Sequence, residues 1–223
     1  RAKYPKVHIM LCSGGGGRVD YGALQYFTEF WLSDNTAPVD RVFMQWNTSI
    51  YYPAISLCAH VTNWDKTASI KYRTDVASMG KLGFDIVVEE LNEQDQAYCI
   101  QAVKNYNSFK ELIWEGDMYR LQSPYEHPFA SFQYVGKDKN RSVLFSYLVS
   151  NRWQLNYSAG PIKLQGLDPA KQYQIKEINL YPGTKSPVDA SKTYSGEYLM
   201  KVGFNPDVSL WRKSVVLEIS AVE

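Results

Sequence analysis

The spacing of apolar positions changes near residue 117, and the change divides the chain in two. Before it, short apolar runs alternate with stretches whose apolar residues recur at helical spacing. Residues 6–12 (Lys-Val-His-Ile-Met-Leu-Cys) form a near-continuous apolar run, the pattern of a strand buried on both faces. Gly14 to Gly17 end it. A short helical pattern covers 21–27, and residues 29–33 read as the next strand. Asn35 or Thr36 is placed to cap a helix reaching about Tyr52, with Pro38 and Asp40 in its first turn and Val42, Phe43, Trp46 and Ile50 on its buried side. Pro53 closes that helix. Residues 54–61 read as a third strand, 68–80 as a helix stopping at Gly80, and 82–88 as a fourth strand. Asn92 then caps a long helix with Glu93 and Asp95 in its first turn and Ile100, Val103, Tyr106, Phe109 and Ile113 along one face. Strand ends fall near Cys12, Ser33, Val61 and Val88, so the first part is four β-α units of barrel length, half of an eight-unit barrel.

After Gly116 no long helical period survives. Short alternating segments cover 130–135, 142–149, 161–167, 172–180, 197–202 and 214–221. Turns at Gly136-Lys137-Asp138, Ser158-Ala159-Gly160 and Leu167-Asp168-Pro169 separate them, a pattern that predicts an antiparallel β-sandwich. The 223 residues suffice to bury a sizeable core as one large domain or two modest ones. With 24 basic against 23 acidic residues and no basic stripe, a nucleic-acid partner is not expected. No apolar run reaches the length of a membrane span, so no membrane partner is expected either. Cys12, Cys58 and Cys99 show no CxxC spacing, and His8, His60 and His127 no ligand spacing. Neither a disulfide framework nor a metal site nor a cofactor is expected. The 17 Tyr and 6 Trp suit sugar platforms and aromatic cores equally. The chain opens on Arg1 with no initiator Met or leader pattern, which suggests a piece of a longer polypeptide and leaves the compartment open.

The candidate chemistry lies where strands end and loops begin. The glycine run lets backbone approach a ligand closely, and Asp34 is flanked by Ser33, Asn35 and Thr36, small polar residues able to orient it. Asp34 is therefore the candidate for chemistry and the glycine loop the candidate for holding substrate. The bland alternatives are a first-turn helix acid and a flexible turn; the missing Lys-Ser/Thr argues against a phosphate loop. Cys12 reads as a pocket wall or a small buried residue, and Trp31 and Trp64 as a pocket rim, with core packing the alternative for Trp31. His60 reads as a hydrogen-bonded histidine near the strand ends, and Arg18 and Arg73 as ion-pair partners.

These residues carry a family resemblance. Cys12-Ser13-Gly14-Gly15-Gly16-Gly17-Arg18 resembles the Cys-Ser-x-Gly-Gly-Gly-Arg motif of glycoside hydrolase family 36, the bacterial and fungal α-galactosidases, and Trp31 to Thr36 resembles its Trp-Thr-Ser-Asp-Asn-Thr motif. Thr48-Ser49-Ile50-Tyr51-Tyr52-Pro53, Ala59-His60-Val61 and Met79-Gly80-Lys81-Leu82-Gly83-Phe84-Asp85 are similar to further segments of the barrel. Gly116 to Leu121 and Tyr194 to Met200 resemble the entry to, and exit from, a C-terminal sandwich. The ordered set spans nearly the whole chain.

The resemblance implies residues 1–116 as half of the catalytic barrel, strands five to eight of a TIM (β/α)8 barrel, and residues 117–223 as a C-terminal antiparallel β-sandwich. It implies a retaining α-galactosidase in which Asp34 is the general acid/base, its pKa raised by a neighbouring carboxylate and partial burial. Cys12, Ser13, Gly15, Gly16 and Trp31 would line the sugar pocket, and the intact enzyme would be a homo-oligomer acting on α-galactosides. The family's nucleophile lies in a Lys-Trp-Asp motif upstream of the glycine loop. Trp64-Asp65 lacks the Lys and comes too late, so the nucleophile is expected from the upstream half of the enzyme. Leu32 stands where Thr is usual, Ala37-Pro38 where Asp-Ala is usual, and Asn63-Trp64-Asp65 where Pro-Asn-His is usual. A non-catalytic carbohydrate-binding remnant and an α-N-acetylgalactosaminidase are the alternatives; Cys12 and the full glycine run disfavour the latter. Half a barrel has open edges, so the chain is not expected to persist alone as a monomer.

Overall fold

A computed structural model describes residues 2–150 and 160–222. Apart from Gly160, the turn expected at 158–160 lies outside them. The first sheet holds β1 (Met10–Leu11), β2 (Glu29–Trp31), β3 (Leu57–Thr62) and β4 (Lys81–Asp85), and every pairing in it is parallel. Spatial order is chain order, β1-β2-β3-β4. A 3-10 turn at Ala23–Gln25, helix α1 (Pro38–Thr48) and α2 (Ile70–Ala77) connect the strands, and α3 (Glu93–Glu115) follows. α1 packs on α2 and α2 on α3, so each helix covers the unit beside it.

Local chemistry sets the helix starts. Asn92 accepts a hydrogen bond from the Asp95 backbone N–H at 2.8 Å, and Ser69 accepts one from that of Tyr72 at 3.2 Å. α1 differs: its first flanking residue is Ala37, which makes no side-chain cap. Asn35 instead accepts from the Ala37 N–H at 3.0 Å and donates to Asp40 at 2.7 Å, a turn placed ahead of Pro38. Ile50 falls past the end of α1 and is exposed. On α3 the buried stripe is Tyr98, Ala102, Tyr106, Phe109 and Ile113; Ile100 and Val103 face outward.

The expected doubly buried strand at 6–12 is largely exposed, and only Met10–Leu11 pairs. β1 is an edge strand: β2 lies on one side, and among the described residues no strand lies on the other. β3, with neighbours on both sides, carries the burial, at Leu57, Cys58, Ala59 and Val61.

Among the described residues the second half holds one sheet, where a sandwich was expected. β5 (Asp117–Gln122), β6 (Phe129–Val135), β7 (Arg141–Leu148), β8 (Gln172–Ile178), β9 (Thr193–Ser195) and β10 (Ser214–Val222) pair antiparallel in the order β5-β6-β7-β10-β8-β9. Its two faces have different covers. Ala130, Phe132, Tyr134, Val143, Phe145, Tyr147 and Val216 meet Val42, Tyr72, Val76, Met79, Tyr106, Phe109 and Ile113 from α1, α2, α3 and the turn after α2. Leu144, Leu148, Val215, Leu217 and Ile219 meet irregular chain at Leu164, Leu167 and Val208 and a short helix, α4 (Gly196–Lys201), through Leu199. A sheet apolar on both faces needs two covers, and here neither is a second sheet. Residues 161–167 contribute only the Ile162–Phe204 bridge, and the strand expected at 197–202 is α4, capped by Ser195 accepting from the Tyr198 N–H at 3.1 Å.

Much of the tyrosine content is spent at the helix–sheet contact. The hydroxyls of Tyr72, Tyr106 and Tyr147 donate to the carbonyls of Leu148, Gly80 and Asp75 at 3.0, 2.7 and 2.8 Å. Each ring fills core while its hydroxyl satisfies a backbone acceptor.

Candidate active site

The two loops singled out in the sequence lie against each other at the carboxyl ends of β1 and β2. Gly14 and Gly15 adopt positive φ, 59° and 87°, and the loop closes on itself through a Ser13 N–H bond to the Gly15 carbonyl at 3.3 Å. A Cβ on Gly15 would stand 2.9 Å from Ser33 Cα, and one on Gly16 2.6 Å from the Leu32 carbonyl oxygen. Neither gap admits a side chain. The glycines are thus the surface on which the Leu32–Asp34 backbone rests.

Asp34 is exposed, where the resemblance implied partial burial. Its Oδ1 accepts from the Trp31 indole Nε1 at 2.9 Å. Arg41, in α1, donates from Nε to the Asn35 carbonyl at 2.9 Å and from Nη2 to the Ser33 carbonyl at 2.6 Å. Its guanidinium carbon lies 4.7 Å from the centre of the Trp31 ring system. Burial pulls Arg41 down to about 10, opposed by the Asp34 carboxylate, so it stays protonated at neutral pH.

His60, on β3, places its ring 4.8 Å from that of Trp31. Burial lowers its pKa, with the Asp85 carboxylate pulling the other way. Below it the Thr36 and Thr62 hydroxyls meet at 2.5 Å. Arg73 donates to the Thr62 carbonyl at 2.6 Å and reaches Asn63 at 3.5 Å; its close contacts are amide oxygens rather than the carboxylate expected. Arg18 and Trp64 are exposed. Asp65 accepts from the Thr67 backbone and hydroxyl at 2.9 and 2.6 Å, bonds that hold its carboxyl below the usual range and fold it into a turn.

The structure therefore brings together Cys12, Ser13, Gly15, Gly16, Trp31 and Asp34 on two touching loops. Sequence reading missed Arg41. Pro38, Arg41, Val42 and Gln45 form the buried stripe of α1, and an arginine on that stripe was the available signal. A cleft of about 810 Å³ lies elsewhere, between α2 and the start of β10, and none of the six candidates lines it. Among the described residues no group of three or more His, Cys, Asp and Glu is placed to hold a metal, and no helix is long and apolar enough to cross a membrane.

Cysteine reactivity gives one test of this geometry. Cys12 is exposed, whereas burial pushes the Cys58 and Cys99 thiols up to about 11. At pH 8 iodoacetamide is expected to modify Cys12 at least about tenfold faster than the other two, read by peptide mass spectrometry. Equal rates would contradict the loop's placement.

Comparison with known proteins matches both halves. The Melibiase family profile matches residues 1–116, and the profile of the glycosyl hydrolase family 36 C-terminal domain matches residues 129–217. Alpha-galactosidase 2 of Hypocrea jecorina is 33% identical over 216 residues, covering 92% of this chain and 27% of its own. Alpha-galactosidase AgaA of Geobacillus stearothermophilus is 33% identical over 189 residues, covering 82% of this chain and 25% of its own. The crystal structure of a doubly substituted AgaA in complex with raffinose superposes with a TM-score of 0.84 at 29% identity, over 99% of this chain and 30% of that one. The chain thus spans about a quarter of the length of the curated relatives it matches. With a profile match over residues 1–116 and relatives at this identity along its length, the chain belongs to the melibiase family, glycoside hydrolase family 36.

Proposed function

We propose that this chain is the acid/base-bearing portion of a retaining α-galactosidase, with Asp34 as general acid/base. In this reading residues 1–116 are strands five to eight of a (β/α)8 barrel and residues 117–223 a C-terminal β domain. The observation that carries the reading is the seam between the glycine loop and the Asp34 loop: two backbones in contact at the carboxyl ends of adjacent parallel strands, presenting an exposed carboxyl group. The order β1-β2-β3-β4, each helix on its neighbour, supports the barrel assignment.

A retaining mechanism uses two carboxyl groups about 5 Å apart. Protonated Asp34 gives its proton to the glycosidic oxygen as the bond to the anomeric carbon breaks and a nucleophilic carboxylate, assigned to the upstream half of the barrel, bonds to that carbon. Ionised Asp34 then takes a proton from water, which displaces the nucleophile and releases galactose. The indole bond to Oδ1 leaves Oδ2 as the atom that exchanges the proton. Cys12, Ser13, Gly15, Gly16 and Trp31 contact the sugar, and a terminal α-linked galactose of an oligosaccharide is the substrate, a choice supported by the raffinose bound to the relative AgaA.

In the full-length polypeptide, Asp34→Asn is expected to lower kcat/KM for methyl α-galactoside, whose leaving group needs the proton, by about 10³-fold. Retained activity in that variant would remove Asp34 from the role. A full-length wild type that binds galactose but hydrolyses nothing would favour a non-catalytic carbohydrate-binding remnant.

A further inference from the structure

Asp34 sits in a loop whose shape is set by a residue outside it. Arg41 is 4% exposed, unusually deep for an arginine, and its fork spans the loop symmetrically: one arm on the Ser33 carbonyl, the other on the Asn35 carbonyl, the two that bracket Asp34. Its flat face lies against Trp31, whose indole N–H holds the Asp34 carboxyl. The same cation thus fixes the backbone on both sides of Asp34 and the ring that aims its side chain. Gly15 and Gly16 press on the backbone of the same loop.

We propose that Arg41 is the positioning residue of the acid/base, its guanidinium clamping the carbonyls of the residues before and after Asp34 and its face orienting the indole that holds the carboxyl. The proposal rests on the reading of Asp34 as general acid/base. Three points support it over a purely scaffolding role. The hydrogen bonds described for Arg41 end on carbonyls of the candidate loop, so its charge is committed there. Burying a cation costs desolvation, visible in the lowered affinity of Arg41 for its proton, and a residue needed only to fill α1's inner stripe would be an aliphatic one. Only a guanidinium offers a planar fork and a stacking face together, so lysine cannot reproduce both contacts.

The consequence is a leaving-group signature. A mis-aimed acid slows cleavage of substrates whose leaving group needs a proton and spares those whose leaving group departs as a stable anion. The test is kcat/KM of the full-length polypeptide on methyl α-galactoside and on 2,4-dinitrophenyl α-galactoside, for wild type, Arg41→Met, Arg41→Lys and Asp34→Asn. Arg41→Met is expected to lose about 100-fold on the methyl glycoside while staying within about threefold on the dinitrophenyl one, with Arg41→Lys losing about tenfold on the former. Asp34→Asn is expected to show the same split, more strongly. Equal losses on both substrates in the Arg41 variants, beside a split in Asp34→Asn, would make Arg41 scaffold and overturn the proposal, as would no loss at all. If Asp34→Asn shows no split, the acid/base reading itself fails and the proposal falls with it. Should Arg41→Met not fold, Arg41→Lys decides alone.

Discussion

Asp75→Ala is expected to destabilise the protein by about 3–5 kcal/mol, the largest loss from any single side chain described above. Asp75 lies at the end of α2 with no exposed surface. Lys71 approaches its Oδ2 at 2.5 Å and Ser214 donates to the same oxygen at 2.7 Å. Tyr98 and Asn179 donate to Oδ1, each at 3.1 Å. Four donors, from α2, β10, α3 and the turn after β8, therefore converge on one carboxyl group, and Asn105 extends the chain of bonds through Asn179 at 2.7 Å. Truncation strands Lys71 and takes their carboxylate acceptor from Ser214, Asn179 and Tyr98, of which Tyr98 keeps only the Lys71 carbonyl at 3.4 Å, and each orphaned donor costs about 1–3 kcal/mol. Asp75→Asn keeps the shape and one acceptor oxygen and is expected to cost about half as much. Urea titration of the protein checks both; a loss under about 1 kcal/mol for the alanine would show the network to be dispensable.

Gly16→Ala should cost activity on a comparable scale. The new Cβ meets the Leu32 carbonyl oxygen at 2.6 Å, an approach only backbone movement relieves. The backbone on either side is the glycine loop or the Asp34 loop, so relief shifts one against the other. A displacement near 1 Å at a proton-transfer group costs about 100-fold in kcat/KM. Gly17→Ala is the matched control, since its Cβ finds its nearest neighbour, the Ser13 carbonyl oxygen, at an ordinary 3.5 Å. The kcat/KM of both variants on methyl α-galactoside, whose leaving group needs the proton, checks the pair, and equal activities would remove the seam from the mechanism.

The parts of the fold legible in the sequence were those fixed by local chemistry. Asn92 with its first-turn acids marked the start of α3, and the glycine run and Asp34 were placed correctly at consecutive strand ends. What escaped depended on neighbours. The apolar run at 6–12 reads as buried because its composition suits a strand covered on both sides, and the described chain leaves it as an edge. The inner face of α3 was legible at Tyr106, Phe109 and Ile113 but not in its first half, where Tyr98 and Ala102 carry the stripe while the more hydrophobic Ile100 and Val103 point outward. Alternation in 117–223 correctly announced antiparallel strands, but it is silent on what covers the far face, which proved to be irregular chain and α4. Arg41 escaped because hydrophobic periodicity has no place for a charged residue that faces inward.

The core shared by α1–α3 and the second sheet bears on how such a protein can be rearranged by recombination. Tyr72, Tyr106, Phe109 and Ile113 are packed into the same cluster as Phe132, Phe145, Tyr147 and Val216. A crossover at Gly116 would give one parent's helices the other parent's floor, mismatching fourteen interlocked side chains at a stroke. Chimaeras joined there should be rare among survivors, and the two sheets should be inherited as a single cargo despite matching separate family profiles.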